Sequence, residues 1–372
     1  MQDHVNTTDS IRHIEDLEII LKNIASENWM LVCDAAFHFL PEHIKAVFEK
    51  YAARCVPFSD FTPNPSFESV MLGLSKFRDE KCSMIVAVGG GSAIDVAKCI
   101  KLFYGVSDPL KYLSEKTEVD YKTIGDIPLI AMPTTAGTGS EATRHAVIYY
   151  NDQKQSIGDS AIIPDIAVLE PSVLRSLPLY QKKSTMLDAL CQGIESWWSV
   201  NSTSESKEYS RAAVETIRDN WQEYLFSNSD AAANKILYAA NFAGKAINIT
   251  ATTAAHAMSY KLSSIFRFPH GHAVAVCMPQ VWQYLLTHTD RCIDRRGQAY
   301  LETVLKEIPV SVDWFVSLMK QLDMGNPCAK APAKAVEILT DSVNPVRMKN
   351  FPVSVDKNEI KSMYERIIEH ES

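Results

Sequence analysis

The segment from residue 83 to residue 98 constrains the fold more than any other. Residues 83–88 are apolar almost without interruption, as a strand covered on both faces must be. That run enters Gly89-Gly90-Gly91 and then Ser92-Ala93-Ile94-Asp95-Val96-Ala97-Lys98, which has a helical pattern. A buried strand, a glycine turn and a helix make a βα unit, which needs further strands beside it in a parallel sheet. Glycine permits positive φ and lets the backbone approach a ligand closely. Ser92 is a good N-cap, and the first-turn amides of the helix carry the positive end of its dipole. The turn reads either as an anion site suited to a pyrophosphate or as a tight connection without a ligand. It has neither the GxGxxG spacing nor the GK[ST] ending of a Walker A loop.

The first half of the chain repeats this alternation. Strands are expected at 29–33, 55–58, 128–132, 146–150 and 167–169, and helices at 41–51 and 65–79. The predicted architecture is a mostly parallel sheet with helices on both faces. A second loop, residues 133–141, combines Gly137 and Gly139 with Thr134, Thr135, Thr138 and Ser140. Ligands in open α/β sheets bind at the carboxyl ends of strands, so the two loops are expected to form one continuous site. Loop hydroxyls also bond local backbone. Asp34 follows the strand at 29–33. It reads either as an acceptor for an adenosine ribose, favouring NAD over NADP, or as a loop aspartate starting a turn.

After Pro178 strand-like runs almost vanish, and helical segments follow at 183–199, 205–225, 230–251, 253–264 and 357–371. The expected division is an α/β dinucleotide-binding domain at 1–178 and an all-α domain at 179–372. A length of 372 residues suits two domains of roughly 100–200 each. With 46% apolar and 22% charged residues, dominant disorder is excluded. A net charge of −8 argues against a nucleic-acid surface but not against small anions. Cys33, Cys55, Cys82, Cys99, Cys191, Cys277, Cys292 and Cys328 form no CxxC pair, so neither a disulfide framework nor a thiolate zinc site is expected. The start, residues 1–10, is polar and acidic, unlike a signal peptide. No apolar run approaches the ~18–20 residues of a membrane span. The expected setting is soluble, reducing and cytoplasmic.

Asp188 lies in a helical pattern, and Gln192, four residues on, shares its face. A carboxylate among apolar neighbours is costly unless it is paired or metal-bound. His256 lies in a second helical pattern, and His270 and His272 in Phe268-Pro269-His270-Gly271-His272. One Asp and two or three His from separate segments suit a catalytic metal site, whereas each His taken singly reads as a structural residue.

Gly89-Gly90-Gly91-Ser92, residues 133–141, residues 188–195, and His256 with Pro269-His270-Gly271 stand in a telling order. It is the order found in the iron-containing (group III) alcohol dehydrogenase family, which the chain resembles from about residue 29 to its C-terminus. The resemblance implies a dinucleotide-binding α/β domain, a helical C-terminal domain, and a cleft between them where a divalent metal meets the nicotinamide. It implies Asp188, His256 and His270 as metal ligands, with Gln192 standing where the family commonly has a histidine ligand. It implies Asp34, Asn64, Gly90, Gly91, Ser92, Thr134, Thr135, Thr138 and Lys154 as cofactor-holding residues, with Asp95 beside them in the glycine motif. Tyr260 stands where the family often has a histidine proton relay. His272, Tyr260 and a ribose hydroxyl with water are the open routes for that proton.

Within the family the chain is similar to the phosphonoacetaldehyde reductase subgroup. The likeness lies in residues 58–65, 142–150 and 192–200 and in Asn344-Pro345-Val346-Arg347. Arg144, just past the second loop, carries forked donors that suit a phosphonate or an ion pair. The implied reaction is reduction of phosphonoacetaldehyde to 2-hydroxyethylphosphonate by NAD(P)H, with NADH favoured and Fe(II) or Zn(II) assisting. Three other readings stay open: a dehydrogenase for a neutral short-chain aldehyde or a diol, a lyase or synthase resembling dehydroquinate synthase, and a non-catalytic cofactor-binding homologue. The resemblance also implies a homo-oligomer, a dimer or higher, with a small anionic aldehyde as partner and neither nucleic acid nor membrane.

Overall fold

A computed structural model of the chain describes residues 10–369, apart from 25, 152, 228 and 328–333. Cys328, the polar start at residues 1–9 and the last two residues of the helix expected at 357–371 lie outside the described residues. The chain divides into two compact units between Leu177 and Pro178.

The first unit is built on a six-stranded parallel sheet. Its strands are β1 (Ser10–Arg12), β2 (Trp29–Cys33), β3 (Cys55–Phe58), β4 (Met84–Gly89), β5 (Leu129–Pro133) and β8 (Ile166–Val168), in the order β1-β8-β5-β4-β2-β3. Its helices are α1 (Ile14–Asn23), α2 (Glu42–Lys50), α3 (Phe67–Asp79), α4 (Gly91–Tyr104), α5 (Pro109–Glu115) and α6 (Tyr121–Gly125). Every residue of β2, β4 and β5 is buried, which explains their unbroken apolar sequences. Met30, Val32, Ile85, Ala87, Leu129 and Ala131 join one core cluster with α3 and α4. The alternate residues Leu31, Val86, Val88, Ile130 and Met132 are also buried, as period-2 geometry requires of a doubly covered sheet.

The chain runs outward from β2 to β3, then returns to β4 on the other side of β2 and continues to β5 and β8. That reversal opens a crevice at the carboxyl ends of β2 and β4. Register aligns the rim, with Cys33 opposite Val88 and Gly89 opposite Pro133.

The segment expected as a strand at 146–150 does not join this sheet. It forms β6 (His145–Tyr150), paired antiparallel with the polar β7 (Gln153–Gly158). Its burial alternates over most of its length, unlike the continuous burial of the central strands. A two-faced ribbon accepts that pattern and the middle of a parallel sheet does not.

The second unit is helical: α7 (Leu179–Trp198), α8 (Ser204–Phe226), α9 (Asp230–Thr250), α10 (Ala254–Phe266), α11 (His270–Thr287), α12 (Gln298–Lys306), α13 (Val312–Gln321), α14 (Ala335–Asp341), α15 (Pro345–Met348) and α16 (Lys357–Glu369). The central element is α7, which packs against α8, α9 and α11. From Met186 to Trp198 every residue is buried, polar ones included. A helix covered on all sides carries buried polar groups only where they have partners. No described helix is long and apolar enough to cross a membrane.

Candidate active site

The crevice of the first unit gathers residues from five segments. Asp34, directly after β2, turns its carboxylate into the glycine turn. Oδ1 accepts the Ala36 amide at 2.9 Å and Oδ2 accepts the Gly90 amide at 3.1 Å. Gly89 has no room for a side chain, because a Cβ would lie 2.6 Å from Asp34 Oδ2 and 2.7 Å from Ala93 Cβ. Gly90 caps α4 and the helix begins at Gly91, so Ser92 is not the N-cap that the sequence led us to expect. Ser92 lies inside the first turn, and its Oγ accepts the Asn64 amide at 3.3 Å. Asn64 sits at φ 61°, a left-handed conformation that asparagine tolerates better than most residues.

The second loop lies against the first. Thr134 donates its amide to the Gly89 carbonyl at 2.9 Å, and a Cβ at Gly91 would meet Thr138 Cγ2 at 3.0 Å. Thr135 flanks Gly90. The first-turn amides of α4 have no intrahelical acceptor and face an anion-compatible rim.

Asp95 lies beneath the rim with both oxygens engaged, Oδ1 by Ser140 Oγ at 2.8 Å and Oδ2 by the Val147 amide at 3.0 Å. It braces the second loop and β6 against α4 rather than presenting an oxygen to a cofactor. Lys154, on β7, contributes positive potential at Asp95. Sequence reasoning missed Lys98 as a functional brace. Fully buried, it reaches Ser140 Oγ (3.1 Å) and the carbonyls of Thr143 (2.7 Å) and His145 (2.8 Å). Burial lowers its pKa to about 8, against the pull of Asp95 and Glu141. Arg144 is half-buried in the next segment, where its carbonyl accepts the Asp159 amide at 3.0 Å.

In the second unit, Asp188, His256 and His270 place one ligand atom each within 4.8 Å of one another. Asp188 Oδ1 lies 3.3 Å from His256 Nε2 and 3.8 Å from His270 Nε2. The approach of α11 to α7 creates this cluster. A Cβ on Gly271 would overlap the Ser184 carbonyl oxygen and come within 2.9 Å of Asp188 Cβ. Asp188 and His256 are buried, whereas His270 is 41% exposed, so the cluster has one open side. Catalytic metal sites keep such an opening.

Behind the cluster stands Glu195, which sequence reasoning also missed. Its carboxylate is wholly buried and faces His256 Nδ1, while Oε1 accepts Thr253 Oγ1 at 2.6 Å and the Ala255 amide at 2.9 Å. Trp198 Nε1 extends the chain by donating to Thr253 Oγ1 at 3.1 Å. Glu195 thus sits on the N-terminal amides of α10, a favourable place for a carboxylate. It fixes the His256 ring with Nε2 aimed at Asp188, a carboxylate–histidine arrangement that orients metal ligands. Its signal was in the sequence, since Asp188, Gln192 and Glu195 fall on one face of α7 at spacings of four and three.

The electrostatics suit a cation. Burial opposes charge on every member, yet His270 and His256 hold the Asp188 carboxyl below its ordinary range, and His256 does the same for Glu195. The Glu195 and Asp188 carboxylates outweigh burial at His256 and raise it to about 9. Two buried carboxylates around one imidazole demand positive charge, which a proton or a divalent ion can supply. An Asp–His–His donor set fits Fe(II) and Zn(II). Gln192 hydrogen-bonds Asp188 from the adjacent turn and steadies that carboxylate.

His272 does not join the cluster. Tyr180 Oη lies 2.8 Å from its Nδ1 and the Gly325 carbonyl 2.9 Å from its Nε2, while Phe268 stacks on the ring at 4.0 Å. With both nitrogens hydrogen-bonded, it ties the start of α11 to Tyr180 and Gly325. Tyr260 does reach the cluster, stacked on His270 with ring centroids 6.0 Å apart and planes 8° apart. Arg347 contributes positive potential at its hydroxyl.

A doubly wound parallel sheet with a glycine crevice, followed by a helical unit carrying an Asp–His–His cluster, defines a class of two-part proteins competent for dinucleotide and metal. Residues 10–171 match the iron-containing alcohol dehydrogenase family, and residues 182–368 match the C-terminal domain of the Fe-containing alcohol dehydrogenase family. The chain belongs to the iron-containing alcohol dehydrogenase family. It is 32% identical over 246 residues to the phosphonoacetaldehyde reductase of Streptomyces viridochromogenes, a stretch covering 64% of this chain and 62% of that protein. It is 33% identical over 221 residues to the probable alcohol dehydrogenase EutG of Salmonella typhimurium, covering 58% and 55%. The matches therefore span less than two thirds of these relatives. The fold is that of the sulfoacetaldehyde reductase from Bifidobacterium kashiwanohense, solved in complex with NAD+. Its TM-score is 0.85 at 24% identity, over 98% of both chains.

Proposed function

We propose that this protein reduces a small anionic aldehyde, phosphonoacetaldehyde in the first instance, to 2-hydroxyethylphosphonate, using NADH and a divalent metal. The observation that carries the reading is the Asp188–His256–His270 cluster, with Glu195 behind it and one side open. When bound, a divalent metal supplies Lewis-acid polarisation of a carbonyl, and reduced nicotinamide supplies the hydride.

The chain's own residues do the rest. Asp188, His256 and His270 hold the metal, and Glu195 keeps the His256 lone pair directed at it. The open amides of α4 at Gly91 and Ser92 receive the pyrophosphate, and Asn64, Thr134, Thr135 and Thr138 shape the rim around it. Lys154 adds positive charge near that rim. The Asp34 carboxylate repels a 2′-phosphate and so favours NADH. Tyr260 stacks on His270, the exposed member of the cluster, and its hydroxyl is the group assigned to pass a proton to the product alkoxide. The 32% identity to a phosphonoacetaldehyde reductase makes the phosphonate the first aldehyde to test.

NADH oxidation is measured with phosphonoacetaldehyde, acetaldehyde and propionaldehyde after loading with Fe(II) or Zn(II). The expected result is a kcat/KM for the phosphonate about tenfold or more above both neutral aldehydes, equivalent to about 1.4 kcal/mol. Preference for a neutral aldehyde leaves a dehydrogenase and removes the phosphonate. No oxidation of NADH with any of the three overturns the reductase reading.

A further inference from the structure

We propose that the junction between α9 and α10 is a strained connection, and that Ser199 and Asn350 are positioning residues that hold it and thereby aim His256 at Asp188. The inference rests on the reading of the Asp188–His256–His270 cluster as a metal site.

Three observations converge on this junction. The first is a backbone conformation. Ala251, the cap of α9, has φ 55° and ψ 170°. Lys116, Arg267 and Lys334 also have positive φ, but their ψ values of 61°, 33° and 19° place them in the ordinary left-handed basin. The combination at Ala251 belongs to a region that only glycine enters freely, and a residue with a Cβ is strained there. Such strain persists only where the surroundings over-determine the backbone.

The second is the set of bonds that does so. They grip the carbonyls on either side of Ala251. The Thr250 carbonyl accepts Ser199 Oγ at 3.1 Å and Asn201 Nδ2 at 3.4 Å. The Thr252 carbonyl accepts Asn350 Nδ2 at 3.0 Å. Asn201 Nδ2 also lies 3.1 Å from Asn350 Oδ1, which ties the two grips together. Thr250 Oγ1 lies 2.9 Å from the Ala251 carbonyl oxygen and 3.0 Å from Ser196 Oγ. Thr250 and Ser199 are wholly buried, so a partner lost here leaves a polar group without water.

The third is what the junction leads into. Thr253, two residues on, gives Glu195 Oε1 its hydroxyl at 2.6 Å and its amide at 3.2 Å, and the Ala255 amide adds a bond at 2.9 Å. His256 follows, with Nε2 3.3 Å from Asp188 Oδ1. Ser196 and Ser199 belong to the end of α7, the helix that carries Asp188 and Glu195. The grips therefore fasten the start of α10 to the same helix that supplies its partners. Relaxation of Ala251 rotates all that follows it, drawing the first amides of α10 off Glu195 and His256 off Asp188. An unstrained link joins two helices equally well. The strained one is kept because it sets the direction of α10.

The test is a double-mutant cycle on the full chain. Zinc affinity is measured by competition with a chromogenic chelator, and the melting temperature on the metal-free protein. Ala251→Gly removes the strain. It is expected to raise the metal-free melting temperature by about 2–5 °C and to leave zinc affinity within about twofold of wild type. Asn350→Ala releases the Thr252 carbonyl and is expected to weaken zinc binding about tenfold, the scale seen when a partner that orients a ligand is lost. Ser199→Ala, nearly isosteric, is expected to do the same. Adding Ala251→Gly to either variant is expected to restore most of the lost affinity, because a relaxed backbone no longer pulls against the site.

A melting temperature unchanged or lowered in Ala251→Gly overturns the strain. Wild-type zinc affinity in both Asn350→Ala and Ser199→Ala overturns the positioning role and leaves the metal reading standing. Equal losses with and without Ala251→Gly also overturn it, by showing that the two side chains act through packing alone. Absence of zinc binding in wild type defeats the metal reading and the positioning role with it. Far-UV circular dichroism of each variant separates these outcomes from misfolding.

Discussion

At the scale of single residues, the site is governed by buried charge. Glu195 is wholly buried, and a carboxylate there costs several kcal/mol unless its oxygens are taken up. Thr253, Ala255 and His256 take them up. Its work is to fix the orientation of the His256 ring. Glu195→Gln keeps the shape and removes the charge, so metal affinity should fall about 10- to 100-fold, on the scale of other orienting partners. Competition with a chromogenic chelator measures it, and wild-type affinity in the variant would remove the role assigned to Glu195. Lys98 is the counterpart in the first unit, where one ammonium ties α4 to the carbonyls of Thr143 and His145. Both residues were in plain view as charges within apolar helices. Neither could be given a partner until residues 45 to 61 positions away were brought alongside.

At the scale of elements, the decisive feature is how closely two helices approach. His270 opens α11 and Asp188 lies midway along α7. They meet because Gly271 lets the first turn of α11 press against the Ser184 carbonyl. Gly271→Val has nowhere to place its side chain without moving α11. It should cost about 2–4 kcal/mol of stability, as overpacking of a tight contact does, and should abolish stoichiometric metal binding. Chemical denaturation and metal analysis of the purified variant report the two effects. Full metal occupancy in Gly271→Val would mean that the helix approach does not set the cluster. The element scale also explains where sequence reading erred. Ser92 resembled an N-cap by residue type, but the cap is Gly90, two residues earlier, leaving the hydroxyl to the Asn64 amide. His272 stands two residues from His270 yet lies outside the cluster. A helix turns about 100° per residue, so two positions on, its ring faces Tyr180 and Gly325 instead.

At the scale of the whole molecule, two functions are assigned to two units, each with its own core. Gly91→Val, which crowds Thr138, should weaken NADH binding at least tenfold while metal content stays at wild type. Asp188→Asn should do the reverse, emptying the metal site while NADH fluorescence titration changes little. Loss of both functions in either variant would contradict separate assembly of the two sites. The sequence by itself determined the alternation of buried strands and helices, the parallel sheet and the all-helical second half, and its resemblance to a known family singled out Asp188, His256 and His270. The first three follow from local periodicity, which survives in one dimension, and the last from the order of the motifs. Only the tertiary structure decided that residues 146–150 leave the sheet, that Asp95 faces inward and that Glu195 orients His256. Each of these depends on a contact between segments far apart in the chain, and no spacing within a segment encodes which distant side chain will fill a given direction.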